Sequence, residues 1–492
     1  MLIRRHFYSL IRSLTMKKFD LVIIGGGVGG LVSASGAAQL GARVALVDSV
    51  SLGGDCLRTG CVPTKRLIYS AKVASLMKRA AEFGLEGEPL RVNFQKVMQG
   101  MRDIQAEIGK NDDPERFRKM GVEVMFGQGQ FIDPHTFEVN GERLHGRKFI
   151  IATGSRPVIL PIPGLKESGV LTNETALTLE RLPQSIAILG AGPIGIEFAQ
   201  VFSRLGSKVT VIEKMGQILP REDKELSDAL SGILVAEGIK IDVCTEIKEV
   251  RRDGKKKSIS AGCPTGDKAY EVDEIMIAIG RAPNVEGLGL EAAGVEYDGK
   301  KGIKVDAALR TSQRHIYACG DVVGHYAFTH VAEYHAGIAL SNALFPFMKR
   351  KVDYRVVPWT TFSDPELARV GLTENEAKEK YGANAVHTYR FHFKDVDRAV
   401  IEGEGHGLIK LICDKKSRLL GAHILGPYSG ELIHEYALAM KENLPITRIS
   451  RNMHVYPTVS QSVKRAADQY YKERLFTGWF PRFARWLIRL GS

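Results

Sequence analysis

Two stretches of this chain repeat one nucleotide-binding design, and that repeat limits the fold more than any other feature. Phe19 to Ile24 reads as a buried strand, followed by Gly25-Gly26-Gly27-Val28-Gly29-Gly30, a helix through about Leu40, and a strand from Arg43 to Val47 ending in Asp48. Ser185 to Leu189 opens the second copy, with Gly190-Ala191-Gly192-Pro193-Ile194-Gly195, a helix, and a strand from Lys208 to Ile212 ending in Glu213. In both copies 23 residues separate the first glycine from the acid. The glycines permit a tight turn and let the backbone approach a pyrophosphate. The helix N-terminus stabilises its charge, and the acid accepts ribose hydroxyls. One such glycine motif is weak. Two, each between strand and helix with the acid at matching distance, predict two dinucleotide sites. The expected class is α/β with two Rossmann-like units.

At 492 residues the chain exceeds one core and should divide into about three or four domains. Hydrophobic content of 44% and charged content of 25% are those of a globular protein. No apolar run reaches the ~18 residues needed to span a bilayer. The formal charge is +12, but Arg4, Arg5 and Arg12 near one end and Arg474, Arg482, Arg485 and Arg489 near the other account for seven of it. The body is left with about +5, so no broad basic face for nucleic acid is expected.

Six cysteines do not make a disulfide scaffold, and Cys244, Cys263, Cys319 and Cys413 are scattered. Only Cys56 and Cys61 look paired, within Gly53-Gly54-Asp55-Cys56-Leu57-Arg58-Thr59-Gly60-Cys61-Val62-Pro63-Thr64-Lys65, downstream of the first fingerprint. As a staple, so short a loop removes little unfolded-chain entropy. No second cysteine or histidine pair stands nearby at metal-ligand spacing, so no metal site is expected. A redox dithiol needs a two-electron partner in contact, and a flavin is one.

Ala152-Thr153-Gly154-Ser155-Arg156-Pro157 and Ala278-Ile279-Gly280-Arg281-Ala282-Pro283-Asn284 bracket the second unit and read as chain crossings. Ile316 to Ala318 reads as a strand leading to Cys319-Gly320-Asp321. From about 358 the pattern changes to strands such as Leu408 to Cys413 and Leu419 to Leu425, then helices, which is a separate α+β domain.

Together these residues resemble the pyridine nucleotide-disulfide oxidoreductases, the flavoprotein family of dihydrolipoamide dehydrogenase, glutathione reductase and mercuric reductase. The resemblance covers about residues 17–470. It rests on the dithiol motif, both fingerprints, the crossings, Gly320-Asp321, and Pro358 through Glu374. It implies an FAD-binding domain of 17–157 and 285–357, an inserted NAD(P)-binding domain of 158–284, and a C-terminal α+β dimerisation domain of 358–473, hence a homodimer. Residues 1–16 would be an N-terminal extension and 474–492 a basic amphipathic tail. Gly25, Gly27, Gly30, Asp48, Gly54, Lys65, Gly129, Thr153, Gly154, Asp321, Thr329 and His330 would meet FAD, with the helix starting at Thr329-His330 turning its positive end to the flavin. Gly190, Gly192, Gly195, Glu213, Gly280 and Arg281 would hold the nicotinamide dinucleotide, and Lys65 would pair with Glu197. Glu213 favours NAD(H) over NADP(H), because a carboxylate repels a 2′-phosphate; the following Lys214 softens that preference. Electrons would pass from NADH through FAD to a Cys56–Cys61 disulfide. Cys61 would then face the flavin as thiolate, and Cys56 would attack a disulfide acceptor.

The chain departs from the resemblance at one place. Disulfide-exchanging members carry a histidine just before Pro-Thr and a glutamate after it, acting on the dithiol of the other subunit. Here Tyr456 and Gln461 stand there, in His454-Val455-Tyr456-Pro457-Thr458-Val459-Ser460-Gln461. A tyrosine with pKa near ~10 is a poor base at neutral pH. His454 is a displaced base or a structural histidine, so Tyr456 and His454 both stand as acid/base candidates. Mercuric reductases also have tyrosine in this region but add a C-terminal cysteine pair, and no cysteine follows Cys413. Three readings follow: a dithiol/disulfide enzyme with a small-molecule or small-protein acceptor, a metal-ion or quinone reductase on the same core, and a non-catalytic flavin-binding subunit.

Residues 1–15 bear arginine and serine without acid, like a short presequence, while Met16 offers an alternative start. A dispensable extension and a cytoplasmic protein are the favoured expectation, with organellar targeting left open. In the tail, Phe480, Phe483, Trp486, Leu487 and Leu490 recur at helical spacing among arginines, with Trp479 before them. Such a helix lies on a membrane surface or packs on protein.

Overall fold

A computed structural model describes residues 16–345, 347–477 and 480–490. The expected extension 1–15 and Trp479 of the tail lie outside the described residues. The first unit opens with β1 (Lys17–Ile24), α1 (Val28–Gln39) and β2 (Val44–Asp48). β1 lies in the middle of a seven-stranded sheet, parallel to β2 on one side and to Glu142–Ile151 on the other. Its Leu21, Val22 and Ile23 are fully buried, as a parallel strand covered on both faces requires. Thr136–Val139 and Gly129–Asp133 extend the sheet antiparallel. α1 begins at Gly27 without a side-chain cap, so its first N–H groups are left for a ligand. A short helix, α2 (Gly54–Arg58), leads into the long α3 (Cys61–Lys78), with α4 (Phe94–Gly109) alongside.

The second unit has four parallel strands in the order Lys240–Asp242, Lys208–Ile212, Ser185–Leu189 and Glu274–Ile277. Its fingerprint helix is α5 (Pro193–Leu205), again with a glycine, Gly192, at an uncapped start. A three-stranded antiparallel meander, Glu246–Asp253, Lys256–Cys263 and Gly266–Val272, completes it. The two crossings pair with each other: Ser155–Pro157 runs antiparallel to Arg281–Pro283. Asn284 fastens the ribbon, its Nδ2 donating to Thr153 O at 2.9 Å while Thr153 Oγ1 donates to Asn284 O at 2.7 Å.

The chain then returns to the first sheet through Ile316–Ala318, parallel to Glu142–Ile151, and enters α6 (Thr329–Leu344), which packs on α1. The C-terminal part is a five-stranded antiparallel sheet, ordered Pro358–Thr361, Glu366–Gly371, Leu419–Gly426, Leu408–Cys413 and His387–His392. α7 (Ser429–Lys441) and α8 (Gln461–Phe476) cover it, and α9 (Phe480–Leu490) follows.

A buried charge cluster joins this sheet to the second unit. Lys410 Nζ stands 2.8 Å from Asp223, 2.9 Å from Glu225 and 2.7 Å from Glu374, and the Lys410 and Asp223 side chains are each only 4% exposed. Burial opposes ionisation of Glu374, but hydrogen bonds from Lys378 and Lys410 prevail and hold its carboxyl at about 2, against an ordinary 4.5. Asp223 and Glu225 are likewise held low against burial. A carboxylate with a depressed folded pKa stabilises the fold above its unfolded pKa and loses that contribution as pH falls through the folded value. Lys410→Met, which strands these acids, should therefore lower the urea-unfolding free energy at neutral pH by about 3–5 kcal/mol. That penalty should shrink as pH falls from about 4.5 toward 2; a pH-independent penalty contradicts this assignment.

Candidate functional site

The loop bearing the two cysteines is fastened to the first glycine turn. Gly53 N donates to Gly26 O at 2.8 Å. Gly54, at φ +56°, lies so close to the turn that a Cβ on it would stand 2.7 Å from Gly27 Cα. Only glycine permits both the backbone angle and that approach. Gln105 of α4 donates to Leu57 O and Arg58 O, at 3.0 and 2.6 Å, and so satisfies the end of α2. Gly60 then resets the chain, and Cys61 opens α3.

The result brings the Cys56 and Cys61 thiols into hydrogen-bond contact. Cys61 Sγ also lies 3.4 Å from Thr329 Oγ1, at the start of α6. The hydrogen bond from Cys56 is the main cause that brings the Cys61 thiol down to about 6; burial opposes it, and the Thr329 hydroxyl and the Lys65 ammonium assist. The Cys56 thiol is pushed up by the same contact and by burial. One negative charge thus resides on Cys61, and Cys56 is its donor. Lys65 Nζ lies 2.8 Å from Glu197 Oε2 and 4.5 Å from the centre of the Phe362 ring. The other Glu197 oxygen accepts from Phe362 N at 3.0 Å. The expected Lys65–Glu197 pair is therefore present, with Glu197 nearly buried at 7%.

Around the first fingerprint, Gly30 faces Gly25 so closely that a Cβ would fall 1.8 Å from the Gly25 carbonyl oxygen. Asp48 ends β2 as expected, and Gly26 N donates to its Oδ2 at 2.7 Å. Gly154 lies in the crossing, where its carbonyl accepts from Asn284 N at 2.9 Å. Asp321 accepts from Ser155 Oγ at 2.6 Å, and burial raises its pKa. His330, next to Thr329, lies 2.8 Å from Pro358 O through Nε2, and burial pushes it below its ordinary value, so its ring is neutral. Gly27, Gly54 and the uncapped start of α1 form a cradle that side chains would fill, and the Cys61–Thr329 contact opens beside it. These features fit FAD.

Two residues expected at the cofactors have protein neighbours of their own. Gly129 opens its strand against the Phe137 ring, and Gly127 N donates to Asp48 O at 2.9 Å, at the acid end of β2. Arg281, expected at the nicotinamide dinucleotide, lies in the crossing ribbon. It donates to Ser155 Oγ and Ser155 O at 2.7 and 2.8 Å and pairs with Asp55, the residue before Cys56. Gly280, beside it, accepts from Val158 N. One positioning residue had no signal in sequence: fully buried His335 accepts from Gly320 N at 3.3 Å and meets Tyr354 OH at 2.8 Å. Burial brings it to about 4, so it stays neutral and its Nδ1 remains free to accept.

The second fingerprint repeats the first in detail. A Cβ on Gly195 would lie 2.1 Å from Gly190 O, and one on Gly190 would lie 2.6 Å from Ala278 O. Gly192 begins α5. Glu213 receives Ala191 N and Met215 N, each at 2.7 Å. Lys214 is held by Glu246 at 2.6 Å.

The two acid/base candidates part company. His454 turns inward, its side chain 5% exposed, with Nε2 3.0 Å from Glu435 Oε2 on α7. Gln461 donates to the His454 carbonyl. Tyr456 stands out at 64% exposure, in a polar pocket of about 340 Å³ with Asp397, Arg398 and Arg465. A hydrogen bond to Asp397 raises its pKa, so it remains a phenol at neutral pH. Cys61 faces another pocket of about 420 Å³, whose walls include Tyr69, Ile104 and Ile108. Among the described residues no group of three or more histidines, cysteines or acids is arranged to hold a metal ion.

Comparison with known proteins agrees with this geometry. A family model described as pyridine nucleotide-disulphide oxidoreductase matches residues 19–336, and the dimerisation domain of the same family matches residues 357–467. The dihydrolipoyl dehydrogenase of Bacillus subtilis is 36% identical over 468 residues, covering 92% of this chain and 97% of that protein. The mercuric reductase of Staphylococcus aureus is 34% identical over 457 residues, covering 92% of this chain and 83% of that protein. Among solved structures, the Cu(II) complex of the HOCl-induced flavoprotein disulfide reductase RclA from Escherichia coli superposes with a TM-score of 0.83 at 30% identity, covering 92% of this chain and all of that one. With its two glycine turns, its paired thiols and its matched dimerisation domain, the chain belongs to the pyridine nucleotide-disulphide oxidoreductases, a family of FAD-dependent enzymes.

Proposed function

We propose that this protein is a cytoplasmic, homodimeric NADH-dependent reductase that delivers electrons through Cys56 and Cys61 to a small disulfide-bearing acceptor, as a dihydrolipoamide dehydrogenase-like enzyme would. The observation that carries the reading is the contact between the two thiols beside the first glycine turn, with the negative charge held on Cys61 and the proton on Cys56. In this partition residues 17–157 with 285–357 bind FAD, 158–284 bind the nicotinamide dinucleotide, and 358–473 pair the subunits. FAD, when bound there, would supply a two-electron relay between NADH and the Cys56–Cys61 disulfide.

The chain's residues then divide the work. Lys65, Thr329 and the Cys56 thiol stabilise the Cys61 thiolate. Cys56, once deprotonated, attacks a sulfur of the acceptor and forms a mixed disulfide; Cys61 then attacks Cys56, restores the Cys56–Cys61 bond and releases the second acceptor thiolate. Overall, NADH, one proton and one disulfide give NAD⁺ and two thiols. The partner subunit's Tyr456, as a phenol, suits proton donation to the leaving sulfur better than proton removal from Cys56. Preference for NADH rests on Glu213, and the ion pair that neutralises Lys214 removes the cation that would favour a 2′-phosphate.

A second reading, reduction of a soft metal ion, is favoured by the missing imidazole base, by the relatives named mercuric reductases and by the copper complex among the solved structures. It asks less of an acid/base, since bare thiolates bind such ions.

Three outcomes test these roles. Anaerobic NADH should give the holoenzyme a long-wavelength thiolate–flavin absorbance that fades as pH falls through about 6, because Cys61 protonates there. Cys56→Ala removes the main cause of the low value and should move that midpoint upward, whereas Cys61→Ser should abolish the band; a band surviving in Cys61→Ser refutes the assignment. Tyr456→His should raise turnover of lipoamide or glutathione disulfide by on the order of 100-fold if the missing base limits exchange. No gain, together with faster NADH oxidation by Cu(II) or Hg(II) than by any disulfide, would favour the metal reading. NADH should exceed NADPH in kcat/KM, and Glu213→Ala should narrow the gap; an unchanged gap removes Glu213 as its cause.

A further inference from the structure

The mechanism above makes no use of α9. Its eleven residues, Phe480–Leu490, carry three arginines and no acid. At helical spacing Phe480, Phe483, Leu487 and Leu490 share one side, and Arg482, Arg485 and Arg489 share the opposite side. The helix touches α8, but no residue of it is fully buried: Trp486 is 56% exposed, Ile488 72% and Leu490 64%. At about 16 Å long the helix is far too short to cross a bilayer, and no helix of the described residues is long and apolar enough to do so.

We propose that α9 is a membrane-surface anchor that lies flat on an anionic lipid headgroup layer. Its apolar side, with Trp486 at the margin, enters the headgroup–acyl boundary, and the arginines reach lipid phosphates. Charge decides between the two candidate occupants. Two copies of α9 facing each other would bring six arginines together with no acid on either helix, whereas an anionic surface complements them. The helix follows α8, which packs on the C-terminal sheet, and contacts it. The enzyme would thereby work at a membrane surface, within reach of an acceptor dissolved in or attached to it.

The test is co-sedimentation of the FAD-loaded full chain with vesicles of phosphatidylcholine alone and of phosphatidylcholine with phosphatidylserine. The full chain should pellet with the anionic vesicles only, and a chain ending at Thr477 should remain in solution while keeping NADH-driven flavin reduction. Each arginine near an anionic surface contributes about fivefold to binding, so Arg482→Gln/Arg485→Gln/Arg489→Gln should weaken it on the order of 100-fold. Trp486→Ala should weaken binding to the anionic vesicles by the same factor at low and at high salt, since its contribution is apolar. Equal pelleting of the full and shortened chains overturns the proposal. So does a shortened chain that sediments as a monomer where the full chain is a dimer, because the helix then belongs to the subunit interface.

Discussion

The structure turns on one backbone contact, Gly54 against Gly27. It presses the dithiol loop onto the phosphate-binding turn of the first unit, with Gly53 N to Gly26 O as its hydrogen bond. Any side chain at Gly54 would meet backbone atoms, and backbone cannot give way as a flexible side chain can. Because α2 starts at that contact, Cys56 inherits its position from the turn, and Cys61 inherits its own from Gly60 at the start of α3. The cysteines are therefore placed by the same glycines that make the cradle, and the redox groups and the nucleotide site cannot drift apart independently.

Electrostatics builds on this placement. Bringing two thiols into contact lets one ionise at the other's expense, and the surroundings choose which. Thr329 and Lys65 both act on Cys61. Lys65 is in turn held by Glu197, which spends its second oxygen on the Phe362 N–H. A chain of contacts thus runs from the second unit, through α5, to the thiolate. Arg281 makes a second link, from the crossing ribbon to Asp55 beside Cys56. Movement between the nucleotide units would be felt at the dithiol through both.

The local architecture was largely legible in the sequence. Strand, glycine turn, helix and acid fall where the spacing of Gly25 to Asp48 and of Gly190 to Glu213 puts them, because hydrophobic runs and glycine turns act over a few residues. The Lys65–Glu197 pair was legible only through the resemblance. Side-chain partners far apart in the chain were not legible. Arg281 stands beside a glycine of the second crossing, and nothing local shows that its guanidinium crosses to Asp55, 226 residues earlier. His454 sits next to the site of a catalytic base, yet Glu435 on α7 turns it inward. The register that sets Phe126 opposite Asp48, and with it Gly127 N on the Asp48 carbonyl, was likewise set by pairing between distant strands.

The central claim is that reducing equivalents from NADH come to rest on Cys56 and Cys61. Differential thiol labelling read by mass spectrometry tests it most directly: the oxidised holoenzyme, and the holoenzyme first reduced anaerobically with one equivalent of NADH, are each alkylated under denaturing conditions. The account predicts that reduction newly labels Cys56 and Cys61 together, while Cys244, Cys263, Cys319 and Cys413 are labelled equally in both samples. Label gained elsewhere, or no gain at Cys56 and Cys61 while the flavin is reduced, would contradict it.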